Sequence, residues 1–570
     1  MKNRVIIFVC FLVITWVGLI WRLGDIQIFS TDSFGPENIN LLEKSVQQRT
    51  QVIHLGEGRG SFYDRNMLPL TEVPKKDIVV FPFIKEIPEV VQILENRFQK
   101  DFSNLAELEQ PIQLSELIGH NISMENYTFF VENQTPGLVP IDNSTNYKPL
   151  LAEHLLGIVG ENAEVESQRY GNTTYNQIGV TGFQATFDSF LVNQNSEKLL
   201  LHVDAKKQPL FGLSYFYKGD SSSFYPVKIK TTIDSTIQHL LEKSVEDNKL
   251  GKGGAVLIDI ENRDLVAMVS KPSINIDDPF SEGSIINHNL RAYAPGSVFK
   301  TVVAAAAIEG GEVDLNHTYN CNLDLYGENE ANRKLGALSF EESFAQSCNR
   351  TFAQIGEELQ RNDPNAIESM SQKIGLTGPV GWTGDIFHYE DFRQFSEEEK
   401  GHIWGDWYDR QSAKAINQTA IGQKNVKITP ISIANMMATI ANRGVFQQVR
   451  GVERILYQNG ATMVSFNEQQ GQRQALQPKT AERLADLLKK VVDSGTGQSL
   501  KGLNVAGKSG TAETGREGKE HHWFAGFFPY DQPKYTLVVY ELDVENGSYL
   551  TYPIFREIVE GVYEEEASKD

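Results

Sequence analysis

The sequence predicts an α+β protein carried on a single N-terminal membrane helix, and three observations lead there. Residues 5–21 hold no formal charge, residues 51–220 mix short β-branched runs with helical stretches, and strand-like runs stand at both ends of residues 226–565 with helical patterns between them. About 17 to 25 apolar residues cross a bilayer as a helix, so 5–21 is just long enough. A cleavable signal peptide needs small residues in an Ala-x-Ala pattern, and the first alanine is Ala106. An uncleaved anchor is therefore expected, with Lys2 and Arg4 in a short cytoplasmic piece, 1–4, and everything after Arg22 outside. Residues 22–50 suit a polar stalk.

Within 51–220, Asp77-Ile-Val-Val-Phe81 reads as a strand and 89–102 as a helix, giving an irregular α+β domain. The polar stretch Gly219-Asp-Ser-Ser-Ser-Phe224 is the expected boundary. Residues 227–233 then read as a strand leading into a helix over 234–248, with Asp234 as its N-cap. Residues 253–260 and 265–270 form a hairpin across the turn 261–264. Helical patterns run to about 497, with 338–348 amphipathic, and strands return at 505–513, 523–528 and 535–542. A closing helix over 554–563 has apolar residues at 554, 555, 558, 559 and 562, and the acidic tail 564–570 is expected to be solvated and mobile. One sheet assembled from the two ends of 226–565 follows.

The balance of 53 basic against 74 acidic residues, net −21, works against nucleic acid as a partner. Three cysteines cannot make a disulfide framework; Cys321 and Cys348 have the option of pairing, but free, packed thiols are expected. His521-His522 and the aromatic stretch 388–409 fit no zinc spacing, so no metal ligand is assigned, and no cofactor.

The chemistry begins at Tyr293-Ala-Pro-Gly-Ser297. Pro295-Gly296 should break the preceding segment and leave Ser297 at a helix N-terminus, where free N–H groups favour developing negative charge. Lys300, at i+3, lies on the same face and within reach of the hydroxyl. Residues 302–308 have no polar side, so this helix should be buried all round and Lys300 with it. Lowering a lysine from near 10.4 by about 2 to 3 units corresponds to roughly 3 to 4 kcal/mol, and such a lysine can activate a serine as nucleophile. Ser-x-x-Lys alone is a weak signal. Two more segments sharpen it: Ser347-Cys-Asn349 at the end of an amphipathic pattern, and Lys508-Ser-Gly-Thr511 on a strand whose alternation puts Ser509 and Thr511 on one face with Gly510 removing bulk between them.

In that order the three motifs resemble those of the penicillin-recognising serine acyltransferases. Thr232-Ile-Asp-Ser-Thr-Ile-Gln238, Lys271-Pro-Ser273, Ile421-Gly-Gln423, Gly495-Thr-Gly497 and Trp523-Phe-Ala-Gly-Phe527 sharpen the resemblance to the class B penicillin-binding proteins. It is strong over 226–565. It continues faintly upstream at Arg59-Gly-Ser-Phe-Tyr-Asp-Arg-Asn66, His154-Leu-Leu-Gly157 and Gly179-Val-Thr-Gly-Phe183, which are similar to that family's pedestal, or dimerisation, domain. Two positions depart from the pattern. Ser509 replaces a threonine and keeps the hydroxyl; Gln184 stands where the family usually has glutamate, so a salt bridge from that position is not expected.

The resemblance implies an antiparallel sheet flanked by helices, with an all-helical subdomain, on an elongated pedestal. It implies that Ser297 attacks the D-Ala-D-Ala carbonyl of a peptidoglycan stem peptide, that Lys300 takes the serine proton, and that Ser347 and Lys508 relay it to the leaving amine. Asn349 would bind the substrate amide and hold Lys300. Ser509 and Thr511 would bind the terminal carboxylate beside Gly510, and the N–H groups of Ser297 and Thr511 would form the oxyanion hole. An amine from a neighbouring stem completes the cross-link, and β-lactams are trapped at Ser297. A SEDS-family glycan polymerase is the implied partner. The alternatives are a D,D-carboxypeptidase or β-lactamase on the same scaffold, or a non-catalytic β-lactam-binding scaffold or sensor.

Overall fold

In the computed structural model the apolar N-terminus forms helix α1, Lys2–Gly24, with no buried residue. It is long and apolar enough to cross a membrane. The structure describes residues 2–29, 40, 44, 50–56, 59–71, 75–102, 105, 108, 110–143, 149–160, 163–170, 177–192, 197–202, 216–218, 224–275, 278–311, 313–515, 518–545 and 549–569. Most of the expected stalk and the expected boundary at 219–223 lie outside these residues.

The chain divides into two compact units that interleave along the sequence. One comprises 1–58, 74–145 and 194–222; the other comprises 59–73, 146–193 and 223–570. The pedestal expected as one contiguous piece, 51–220, is thus shared between them. In the first unit the strand Lys75–Val80 lies between Ile112–Gln113 and Leu138–Asn143. Ile78, Val80, Leu94, Leu114 and Phe130 close a core against the helices Pro88–Phe98, Leu114–Ile118 and Met124–Asn133.

The second unit is built on a five-stranded antiparallel sheet. Its strands are β1 (Gly253–Asp259), β2 (Leu265–Lys271), β3 (Ala506–Glu513), β4 (Lys519–Phe528) and β5 (Tyr535–Glu545), in the order β2-β1-β5-β4-β3. Two ends of the chain segment make one sheet, as the pattern predicts. Period-two alternation decides its two faces. Leu257, Phe524, Phe528, Leu537 and Val539 face one core with α2 (Ser235–Asp247) and the C-terminal helix Thr551–Ala567. Val256, Ile258, Trp523, Phe527 and Val538 face the other. That second core contains α3 (Lys300–Gly310), whose residues 300–307 are all buried. Asp234 caps α2, accepting from the N–H groups of Thr236 and Ile237.

Several expectations are corrected. Residues 228–231 form a strand outside the main sheet, in a smaller sheet with 61–63, 452–456 and 462–465. The amphipathic pattern at 338–348 yields a shorter helix, α4 (Phe340–Gln346), because Ser339 caps it in a reciprocal box with Glu342. The region between α4 and residue 497 carries short two-stranded pairings such as Thr383–Ile386 with Tyr389–Arg393. The acidic tail is helical to Ala567, where Tyr535 and Lys534 donate to Glu566. Cys321 and Cys348 are joined, with Cα atoms 6.0 Å apart, a normal disulfide span. The expected free thiols are thus corrected: three cysteines are too few for a framework, but one pair 27 residues apart still closes where the chain folds back on itself.

The upstream motifs of the family resemblance, 59–66, 154–157 and 179–183, all belong to the second unit. There Arg59 is 4 % exposed, its guanidinium donating to Gln184 Oε1 at 2.8 and 3.0 Å and pairing with Asp188 at 2.7 Å. Gln184 supplies no charge, as expected; Asp188, four residues on, supplies it.

Candidate active site

Ser297 lies in the 3₁₀ turn Gly296–Phe299, which runs directly into α3. The turn sits tightly on the edge strand β3 because two glycines let it. A Cβ on Gly296, at φ +54°, would lie 2.2 Å from Thr511 O, and one on Gly510 would lie 2.4 Å from Pro295 O. Trp523, on β4, donates from Nε1 to Ala294 O at 3.0 Å and anchors the approach to the turn. Ser297 and Thr511 are thereby brought to one place, the first half-buried and the second exposed.

Lys300 is wholly buried at the start of α3. Its Nζ donates to Asn349 Oδ1 at 2.6 Å, to Ser347 O at 2.9 Å and to Ser347 Oγ at 3.1 Å. Among the described residues it makes no hydrogen bond to Ser297 Oγ, so the two residues paired by spacing are unbonded in this structure. The acceptors converge because the chain breaks between α4 and α5 (Asn349–Asn362). Ser347 ends α4 in the left-handed conformation, φ 57°, costly for a non-glycine residue and held by its N–H bonding to Phe344 O at 3.1 Å. Cys348, in the middle of this motif, is the disulfide-bonded residue.

Lys508, also wholly buried, donates from β3 to the same Ser347 Oγ at 3.1 Å and to Ser509 O at 3.1 Å. One hydroxyl therefore bridges two lysines. Burial holds Lys300 well below the ordinary lysine range, and the neighbouring cations Lys508 and Arg333 push the same way. Burial, then Arg333, lowers Lys508 to about 7. No carboxylate contributes to either shift. Aromatic rings lie close to both, with Phe352 5.7 Å from Lys300 Nζ and Phe344 5.8 Å from Lys508 Nζ.

Three participants carry no role in the motif reading. Thr496 Oγ1 is 2.7 Å from Ser509 Oγ, and Thr496 is itself fixed by its N–H to Ala345 O at 3.1 Å and by Tyr552 OH to its carbonyl at 2.9 Å. Arg333 donates to Gln346 O at 3.1 Å, next to Ser347. Gln423 bonds to β3 at Thr511 and Glu513. Gly495-Thr-Gly497 and Ile421-Gly-Gln423 are visible as motifs, but only folding shows what their polar side chains touch. His521 accepts from Asp543 N–H at 3.1 Å, and His522 lies 3.1 Å from Glu520.

A half-buried serine on a helix-leading turn, two buried lysines with no acidic partner among the described residues, a bridging hydroxyl and a strand edge can together deprotonate a serine and hold an oxyanion. Comparison with known proteins agrees with this chemistry. The family described as "Penicillin binding protein transpeptidase domain" matches residues 253–560, more than half of the chain. Peptidoglycan D,D-transpeptidase PbpA of Mycobacterium tuberculosis is 28 % identical over 68 % of this chain and 82 % of its own length. Stage V sporulation protein D of Bacillus subtilis is 24 % identical over 95 % of this chain and 81 % of its own. A chain from a solved peptidoglycan synthase complex that coordinates polymerization and crosslinking shares the fold with a TM-score of 0.67, at 20 % identity, over 99 % of both chains. The chain belongs to the penicillin-binding protein transpeptidase family.

Proposed function

We propose that the chain is a peptidoglycan D,D-transpeptidase whose nucleophile is Ser297. The observation that carries this reading is the pair of wholly buried lysines, Lys300 and Lys508, sharing Ser347 Oγ and, among the described residues, paired with no carboxylate. Lys300, whose hold on its own proton burial weakens, takes the Ser297 proton as Oγ attacks the carbonyl between the terminal D-alanines. The N–H groups of Ser297 and Thr511 hold the developing oxyanion. The proton passes by way of Lys508 and Ser347 to the departing D-alanine amine, leaving an ester on Ser297. Asn349 orients the donor amide, Ser509 and Thr511 hydroxyls hold the carboxylate, and Thr496 sets the Ser509 rotor. An acceptor amine then attacks the ester to form the cross-link. β-Lactams acylate the same oxygen.

Family membership and the apolar α1 support a single-pass membrane protein with residues 226–565 as the extracytoplasmic transpeptidase domain and 51–220 as its pedestal. Likeness to a chain of a peptidoglycan synthase complex supports a SEDS-family glycan polymerase as partner. The test is a D-Ala-D-Ala stem peptide offered with an amine acceptor. Exchange of the terminal residue is expected; release of free acid alone would mark a carboxypeptidase, and turnover of a labelled penicillin within seconds a β-lactamase.

A further inference from the structure

Strand β3 is an edge strand, and the outward N–H and C=O groups of an edge are where an extended peptide adds. Alternate residues present those groups. On β3 they are Ser509, Thr511 and Glu513, whose pairs on the inner side leave Gly510 opposite Trp523 and Ala512 opposite His521. The outer groups are partly taken. Gln423 Nε2 donates to Thr511 O at 3.4 Å, and Gln423 Oε1 accepts from the Glu513 N–H at 3.2 Å. One side-chain amide thus offers a donor and an acceptor to two successive outward groups, as a peptide unit of an added strand does.

Its position is set by the nucleophile turn. The Gly296 N–H donates to Gly422 O at 3.1 Å, and Gly422, at φ +74°, approaches so closely that a Cβ there would lie 2.0 Å from Gly296 O. The amide is therefore carried on a loop fixed against the Ser297 turn. Of its two bonds, the one to Thr511 O is the longer, and that carbonyl adjoins the proposed oxyanion donor.

We propose that Gln423 is a specificity-determining residue for the acyl donor. Its side-chain amide holds the Thr511 and Glu513 positions of the strand edge in the free protein, and a donor with an amide N–H next to its acyl group competes with Nε2 for Thr511 O. A donor without that N–H leaves Gln423 in place. Edge pairing by the donor consequently stops at Thr511, because Oε1 still occupies the Glu513 N–H. The proposal rests on the reading of Ser297 as the acylated residue.

The experiment compares second-order acylation constants of the full chain for benzylpenicillin, whose acylamino group carries such an N–H, and for a carbapenem, which has none. In Gln423→Ala the ratio of the penicillin to the carbapenem constant is expected to rise about three- to ten-fold, the equivalent of one neutral hydrogen bond. Gln423→Glu keeps the reach and the acceptor for Glu513 but has no N–H for Thr511 O, and it is expected to raise the same ratio. An unchanged ratio, or an equal loss with both ligands in both variants, overturns the proposal and leaves Gln423 as a brace of the loop. Failure of both ligands to acylate the wild-type protein overturns the reading of Ser297 instead.

Discussion

The second unit buries cations in two opposite ways. Arg59 is enclosed with a carboxylate, Asp188, at 2.7 Å, and Asp188 also accepts from Tyr170 OH at 2.6 Å and from the Gly179 N–H at 2.7 Å. Lys300 and Lys508 bond to hydroxyl and carbonyl oxygens beside aromatic rings and, among the described residues, form no ion pair. A buried charge given its counter-charge stays charged and braces the fold; one denied it holds its proton less tightly. Arginine, which scarcely deprotonates, stands at the first site, and lysine, which shifts readily, at the second. The residue types match the two uses.

Lys300→Met is the sharpest way to break the comparison. It removes the proposed base while filling much of the same volume, so acylation of Ser297 is expected to fall by about 10² to 10⁴ with no loss of thermal stability, measured by stopped-flow labelling and by melting. A collapse of the fold would show that Lys300, like Arg59, is structural. Asp188→Ala is the converse. It leaves Arg59 buried without its charge partner and is expected to cost about 3 to 5 kcal/mol in denaturant unfolding, while the folded fraction acylates at the wild-type rate.

A smaller effect is expected from pH. The unfolded chain keeps its lysine protons to about 10.4, whereas folded Lys508 releases its proton at about 7. Between those values the unfolded state binds more protons, so this group makes stability rise with pH from about 7 upward and contributes no pH dependence below. Lys300, lowered in the same direction, adds to that rise. Melts across this range should show the increase, and Lys508→Met should reduce it. The least effect belongs to Thr496→Val, which frees the Ser509 hydroxyl. A loss of about three- to ten-fold in acylation is expected, in the binding constant more than in the rate of the chemical step.

These contrasts divide what the sequence discloses from what it does not. Ser297 with Lys300, Ser347 with Asn349, and Lys508 with Thr511 are each local patterns, and an all-apolar run after Lys300 is enough to foresee its burial. The five strands are legible for the same reason, since alternation is a short-range signal. Asp188 as the partner of Arg59, Thr496 as the partner of Ser509, and the Cys321–Cys348 bond are long-range or arise where the chain doubles back. The grouping of 59–73 and 146–193 with 223–570 in one compact unit belongs to that class: each segment reads locally as part of the run 51–220, and its contacts with residues beyond 222 appear only on folding. Gln184 makes the point in one residue. Its identity tells that it carries no charge, but not that a neighbour one helical turn away provides it.

The central claim is that Ser297 becomes the nucleophile because the lysines beside it are buried without acids. Intact-mass and peptide-mapping mass spectrometry of the penicillin-treated protein tests it most directly, with Lys300→Met alongside. The account predicts a single adduct, mapped to Ser297, formed rapidly in the wild type and slowly in Lys300→Met. An adduct on another residue, or equal rates in the two proteins, would contradict it.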